Sequence, residues 1–208
     1  MALVRNPRIA TVSVAIAVAA LAAGCGASSS DSTTTNGGFE GLVQKQRKPA
    51  PLLSLTDSLG HRVNIDSYRG KAVVVTFIYD HCPDVCPLIV GNLHTAQSQL
   101  GSEASKLQII AVSVDPKGDT PKTVKAFLKA HQMTGRMEYL IGSRPQLERT
   151  WRAWGITSRS ASTKNNPDAV EHSALIYGIS GSGKVTTLYP ANFKPAEIVH
   201  DVPLLAAS

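Results

Sequence analysis

Three side chains carry the chemistry this sequence can do: Cys82, Cys86 and, among six histidines, His172. The cysteines sit in Tyr79-Asp80-His81-Cys82-Pro83-Asp84-Val85-Cys86-Pro87, between an apolar run and a helical stretch. Pro87 suits an early helical position, so the spacing predicts both sulfurs on one side of a first helical turn. Cα atoms placed there can lie within the ~4.4–6.8 Å that a disulfide allows, yet the loop is one residue longer than Cys-x-x-Cys. A Cys82–Cys86 bridge and a bidentate metal grip are therefore both open. Free N–H groups and the positive dipole end favour thiolate over thiol, and thiolate is both nucleophile and ligand. Two thiolates select soft metals, and an imidazole can complete the set. Cu(I) accepts such low coordination, whereas structural Zn²⁺ wants a fourth protein ligand.

The elements that must position these groups are legible from periodicity. Ala72 to Ile78 is a β-branched apolar run without alternation, as expected of a strand covered on both faces in a parallel sheet, and Leu107 to Val114 reads the same way. Helical stretches follow each: Cys86 to Leu100, and Pro121 to His131 behind Thr120-Pro121. Met137 to Ile141 is a third strand. Ser143-Arg144-Pro145-Gln146 has capping-box spacing, with Leu147, Trp151 and Trp154 forming an apolar stripe on a helix that Gly155 ends. A hairpin is expected from Leu52–Leu55 and Val63–Ile65 around Asp57-Ser58-Leu59-Gly60. A second is expected from Ala174–Tyr177 and Val185–Tyr189, with a closing helix over Pro195 to Leu205. Ile156 to Val170 is polar and irregular, a loop or protruding hairpin. The order predicts an α/β fold of thioredoxin-like arrangement: a central mixed sheet flanked by helices, with an N-terminal β-hairpin extension.

That arrangement singles out His172. Val170-Glu171-His172-Ser173 ends the irregular segment just before a strand, and in a thioredoxin-like fold this junction faces the cysteine loop. His81 adjoins Cys82, whose side chain takes the inward direction, so His81 is expected outside the ligand set. His61, His94, His131 and His200 fall on turn or helix faces; Met133 and Met137 suit packing.

The N-terminus reads as an export signal. Arg5 and Arg8 precede the apolar run Ile9 to Ala20, which is too short to cross a ~30 Å hydrocarbon core comfortably. Leu21-Ala22-Ala23-Gly24-Cys25 resembles a bacterial lipobox, which implies cleavage after Gly24, lipidation of Cys25 and anchoring of the exported chain to a membrane, facing the periplasm or extracytoplasmic space. Residues 25–50, with Ser28-Ser29-Ser30 and Thr33-Thr34-Thr35, are expected to form a flexible tether, leaving residues 51–208 as the folded domain. The 208 residues carry 17% charged residues and three cysteines, which excludes a long coiled coil and a disulfide-dense miniprotein. The net charge of +6 is spread without an aromatic-interleaved basic run, so nucleic acid is not an expected partner.

Three segments together carry a family resemblance: His81-Cys82-Pro83-Asp84-Val85-Cys86-Pro87; Ser113-Val114-Asp115-Pro116 with Asp119-Thr120-Pro121; and His172-Ser173-Ala174-Leu175-Ile176-Tyr177. Over about Pro49 to Pro203 the chain resembles the SCO/SenC family of membrane-anchored, thioredoxin-like copper proteins. The resemblance implies a copper chaperone for the binuclear copper centre of cytochrome c oxidase. Cys82, Cys86 and His172 would hold the copper ion, as Cu(I) and with Cu(II) left open. The same cysteines would be the redox pair, joined as Cys82–Cys86 in the oxidised form. The partner would be a copper-receiving oxidase subunit or another cuproprotein. Asp84 and Asp115 are placed to tune the site or to cap backbone N–H groups. Asp80 departs from the family, which often has Thr there, and adds negative charge beside the thiolates. The competing reading is a thiol–disulfide oxidoreductase that keeps cuproprotein cysteines reduced; it uses the same sulfurs but does not need His172.

Overall fold

Every residue of Ala72–Ile78 is buried, as its unbroken apolar run requires of a strand covered on both faces. The computed structural model describes residues 38–162, 164 and 169–208; the segment read as an export signal, Cys25 and the Ser/Thr tracts lie outside them. In chain order the strands and helices are β1 (Leu42–Val43), β2 (Leu55–Asp57), β3 (Arg62–Val63), β4 (Ala72–Ile78), α1 (Val85–Gln99), β5 (Leu107–Ser113), α2 (Pro121–Ala130), β6 (Met137–Ile141), α3 (Arg144–Trp154), β7 (Ser158–Ser160), β8 (Val170–His172), β9 (Ile176–Ile179), β10 (Val185–Tyr189) and α4 (Pro195–Ala206). Eight strands form one sheet in the order β1-β10-β9-β4-β5-β6-β2-β3, while β7 and β8 pair as a separate ribbon. The β4, β5 and β6 strands run parallel; β9 and β2 join them antiparallel, so the sheet is mixed and thioredoxin-like as expected. No helix among the described residues is long and apolar enough to cross a membrane.

Register explains how the layers form. Phe77, Val112 and Leu140 lie side by side, so they share a face, and Phe77 meets Trp154 of α3 at 5.8 Å between ring centroids. Tyr139, next to Leu140, points the other way and meets Phe127 of α2 at 6.0 Å. The right-handed β4-α1-β5 and β5-α2-β6 crossovers put α1 and α2 on that second face, and α4 packs beside α1. Local signals set the helix ends: Thr120 and Thr123 cap α2 reciprocally, Ser143 and Gln146 do so for α3, and Gly155 closes α3 at φ 68°.

Three expectations shift. In the N-terminal hairpin, the Asp57 carboxylate accepts the Leu59 and His61 N–H groups, which draws the paired residues toward the turn; Ile65 instead opens a short 3-10 turn capped by Asn64. The strand expected at Ala174–Tyr177 is displaced to Ile176–Ile179, whereas the described ends of the irregular segment pair as the β7–β8 ribbon, in keeping with the hairpin alternative. The larger correction is the tether boundary. Residues 38–50 belong to the fold: Phe39 is buried, β1 pairs with β10, and Pro49 bridges Lys184.

One buried carboxylate ties that segment down. Asp201 of α4 accepts N–H groups from Glu40 and Gly41 at 2.9 Å each and the Tyr189 hydroxyl at 2.7 Å. A Cβ at Gly41 would lie 2.5 Å from the Tyr189 ring, so glycine is required at this crossing. Composition alone, polar and glycine-rich, hid an anchor whose acceptor lies 160 residues away. A fragment beginning at Lys45 removes β1 and leaves the Asp201 carboxylate short of two donors. It is expected to be about 2–4 kcal/mol less stable in urea denaturation than one beginning at Thr35.

Candidate metal and redox site

The site forms at the carboxyl ends of β4 and β5, where α/β sheets leave a crevice. After Ile78 the chain turns through Tyr79 to Cys82, whose N–H donates to the Tyr79 carbonyl, and Asp84 caps α1 by accepting the Val85 N–H. Helix α1 therefore starts one residue before Cys86, with Cys86 in its first turn. The Cys86 N–H donates to Cys82 Sγ at 3.4 Å, so the backbone donors of the helix start converge on one sulfur. Both cysteines are buried and carry free thiols.

Their environments push the two thiols apart. Cys82 is drawn down to about 5: the Cys86 thiol donates to it, burial opposes, and the N–H groups of Asp84 and Cys86 and the Tyr79 hydroxyl add further donors. Cys86 moves strongly the other way, because its S–H donates a hydrogen bond to Cys82 and it is fully buried. The pair thus holds a single negative charge, centred on Cys82, near neutral pH.

The β8 strand brings His172 against this pair. Its Nε2 lies 3.9 Å from Cys86 Sγ, and its Nδ1 lies 3.1 Å from the Ser173 carbonyl, which fixes Nδ1 as the donor and leaves the Nε2 lone pair facing sulfur. Burial holds the ring below the usual histidine range, in the neutral form a metal needs; the Ser173 carbonyl and the Cys82 charge act the other way. Sulfur and nitrogen around one trigonal ion, at bond lengths of about 2.3 and 2.0 Å, lie roughly 3.8 Å apart. The Cys86–His172 separation matches that without rearrangement.

The other predicted residues occupy separate places. Cys25 lies outside the described residues. His61 pairs with Asp57, His131 stacks against Phe127, and His200 contacts Asp201. Met133 and Met137 are buried in the core, as are both tryptophans. His81 points away from the sulfurs: its Nδ1 meets Asp80 at 2.5 Å and its Nε2 meets Asp115 at 3.2 Å. Burial opposes protonation there, but the Asp80 bond and the charges of Asp80, Asp115 and Asp119 raise its pKa overall.

With this geometry in view, the family model for SCO1/SenC matches residues 44–207. The chain belongs to the SCO1/SenC family. It is 28% identical over 149 residues to the SCO1 protein homolog of Bacillus subtilis, covering 69% of this chain and 75% of the relative. Bradyrhizobium japonicum ScoI, solved with copper bound, superposes with a TM-score of 0.68 at 29% identity, over 76% of this chain and 99% of that one. A SCO1/SenC family lipoprotein from Bacillus anthracis gives 0.67 at 25% identity, over 79% of this chain and 99% of that one.

Two residues shape this SCO1/SenC site without having been singled out in the sequence. Tyr79 stands edge-on between His172, at 6.0 Å, and His81, at 5.3 Å, with its hydroxyl on Cys82. Burial, then the Cys82 charge, push it up to about 12, so it stays a donor. Its signal was alternation: two residues past Phe77, it continues the face that meets β8. Asp119 is buried beneath the loop, accepting the Asp80 N–H and the Tyr139 hydroxyl, both at 2.9 Å. Burial, then the nearby Asp80 charge, raise it to about 7, against the pull of its donors. It lies in Asp119-Thr120-Pro121, and nothing in that spacing says that it turns inward.

Tyr79→Phe removes one donor from the Cys82 thiolate and leaves the ring packing intact. The pH midpoint of Cys82 alkylation in the reduced protein is expected to rise from about 5 by roughly one pH unit. An unchanged midpoint would mean that the hydroxyl does not hold the thiolate.

Proposed function

We propose that this chain is a copper chaperone, tethered to the membrane through lipidated Cys25, that holds copper between Cys82, Cys86 and His172 and passes it to the binuclear copper centre of cytochrome c oxidase. The family is one of copper binding and oxidase assembly. Similarity to a relative solved with copper bound and to a family lipoprotein supports the metal and the anchor respectively. The observation that carries the reading is His172: a neutral imidazole with its free nitrogen 3.9 Å from Cys86 Sγ has no task in a disulfide bridge and completes a soft-metal site. Two thiolates and one imidazole suit Cu(I), and a three-donor set leaves room for an incoming acceptor thiolate, so copper can pass by ligand exchange without ever being free. Lipid at Cys25 would face the domain outward, into the periplasm or extracytoplasmic space, and residues 26–37 would give it reach over a membrane partner.

A second reading draws on the thiol asymmetry. A thiolate at Cys82 beside a protonated Cys86 is the arrangement of a disulfide reductant. Cys82 would attack a substrate disulfide and release one substrate thiolate. Cys86, on losing its proton, would then attack Cys82 and release the other, leaving the substrate with two thiols and this chain with a Cys82–Cys86 bridge. Such a step would keep an acceptor's cysteines reduced for metallation.

Anaerobic Cu(I) titration of the reduced full chain against a competing chelator separates the two. One equivalent is expected to bind, with affinity lowered roughly 10–100-fold or more in His172→Ala, since even partners behind the ligands cost that much. Weak binding indifferent to His172, with rapid disulfide exchange retained, would replace the chaperone with the reductant.

A further inference from the structure

Behind the thiol loop lies a second cluster that copper transfer does not use. Asp80, His81 and Asp119 each offer a ligand atom within 4.8 Å of the other two. The Asp80 side chain is only 5% exposed, and its Oδ2 is buried with no hydrogen-bond partner among the described residues. Asp119 is 5% exposed. Among the described residues no lysine or arginine pairs with either carboxylate; the only ion-pair partner of Asp80 is His81. Two adjacent carboxylates in a poorly solvated place repel one another and are stabilised by positive charge beside them, which His81 supplies on one side of Asp80 while Oδ2 is left without a partner.

The surroundings organise the cluster as they would a metal site. Asp115 takes the His81 Nε2 side at 3.2 Å, which turns Nδ1 toward Asp80, the carboxylate–imidazole arrangement found behind metal-binding histidines. Asp115 is itself steadied by the Lys117 N–H at 3.0 Å. Asp119 is held by the Asp80 N–H and the Tyr139 hydroxyl. Gly118 is indispensable to this packing: a Cβ there would lie 2.0 Å from His81 Cε1 and 2.4 Å from Asp115 Oδ2. His81, Asp115 and Gly118 also line an open cleft of about 530 Å³, so the imidazole of the cluster is reached from solvent while its two carboxylates lie behind it.

We propose that Asp80, His81 and Asp119 form a second metal site, for a first-row divalent cation that prefers oxygen and nitrogen donors, distinct from the thiolate site. Carboxylates and an imidazole select borderline-hard ions such as Mn²⁺, Co²⁺, Zn²⁺ or Cu²⁺, with Cu²⁺ bound most tightly, whereas two thiolates select Cu(I). The sites abut through the residues that join Asp80 to Cys82, so one domain would hold two ions of different softness. Asp80 is the residue the site depends on, since threonine in its place offers no carboxylate. The inference does not rest on copper delivery, because no sulfur takes part.

Co(II) is the probe, because thiolate ligation adds an intense ligand-to-metal charge-transfer band that oxygen and nitrogen donors lack. Anaerobic titration of the reduced full chain is expected to saturate at two equivalents, one with the charge-transfer band and one with d–d absorption alone. Asp80→Asn removes the second equivalent and leaves the first. In a Cys82→Ser, Cys86→Ser chain, one equivalent without charge-transfer absorption remains, and adding Asp80→Thr weakens it at least tenfold. Circular dichroism checks that each variant folds, and Asp80→Thr replaces Asp80→Asn in the parent chain if the latter does not. A single equivalent in the parent, a second equivalent unmoved by either Asp80 substitution, or a thermal midpoint of the double-serine chain that Co(II) leaves unchanged would overturn the site. The last result would mean that a proton alone relieves the carboxylates. Cu(I) binding at the thiols can succeed or fail independently of any of these.

Discussion

The hydrogen bonds that converge on Cys82 are the constraint around which the site is built. A buried thiolate is costly unless donors surround it, and here they come from the start of α1, the Cys86 thiol and the Tyr79 hydroxyl. Each depends on a different part of the fold. The backbone donors require α1 to begin at Val85, which Asp84 secures as its cap. The phenol requires Tyr79 to continue the α3 face of β4. That face exists because β4 is central in the sheet, flanked by β5 and β9 and covered on both sides.

The same geometry separates the roles of two chemically identical residues. Cys82 and Cys86 differ in that one sulfur receives several donors and the other is fully buried and donates to it. A charge shared unequally would make one sulfur the nucleophile or first ligand, and would keep the other protonated until a metal or a mixed disulfide displaced the proton. His172 then sits on the enclosed sulfur, where a cation would bring the three donors together. The neutral state of the imidazole follows from burial, so the group that completes the site stays available as a lone-pair donor through the neutral pH range.

Much of this was legible in the residues, for identifiable reasons. The β4 and β5 runs, the capping signals of α2 and α3 and the Trp stripe are local patterns whose physical meaning does not depend on tertiary context, and they appear where expected. Cys82, Cys86 and His172 converge because the element order fixes which loop ends meet. What escaped is non-local. Glu40 and Gly41 read as linker because their acceptor is on the last helix, and Asp119 read as a loop residue because its partners are the Asp80 backbone and the Tyr139 hydroxyl. Polar groups that are buried by their partners carry no periodicity, so a sequence does not announce them.

The division of the proposed ligands between elements bears on how a cargo would leave. Cys82 and Cys86 belong to a loop and helix welded to the central sheet, whose seven-residue β4–β5 pairing runs directly behind them. His172 belongs to a ribbon of three residue pairs that, among the described residues, joins no strand of that sheet; the Arg159–Glu171 pair, a Ser173-to-Thr157 backbone bond and a Ser158 hydroxyl on the Val114 carbonyl hold it, and Val170 packs on the core. Exposed ion pairs stabilise little, and short ribbons with few buried contacts open locally at a far smaller free-energy cost than core strands. If these three side chains hold an ion, the donor on the separate ribbon would be the one to leave first while both sulfurs stay in place. Under the proposed copper transfer, that is the order ligand exchange would require: an acceptor thiolate would enter at the position the histidine vacates, with the ion kept on two sulfurs.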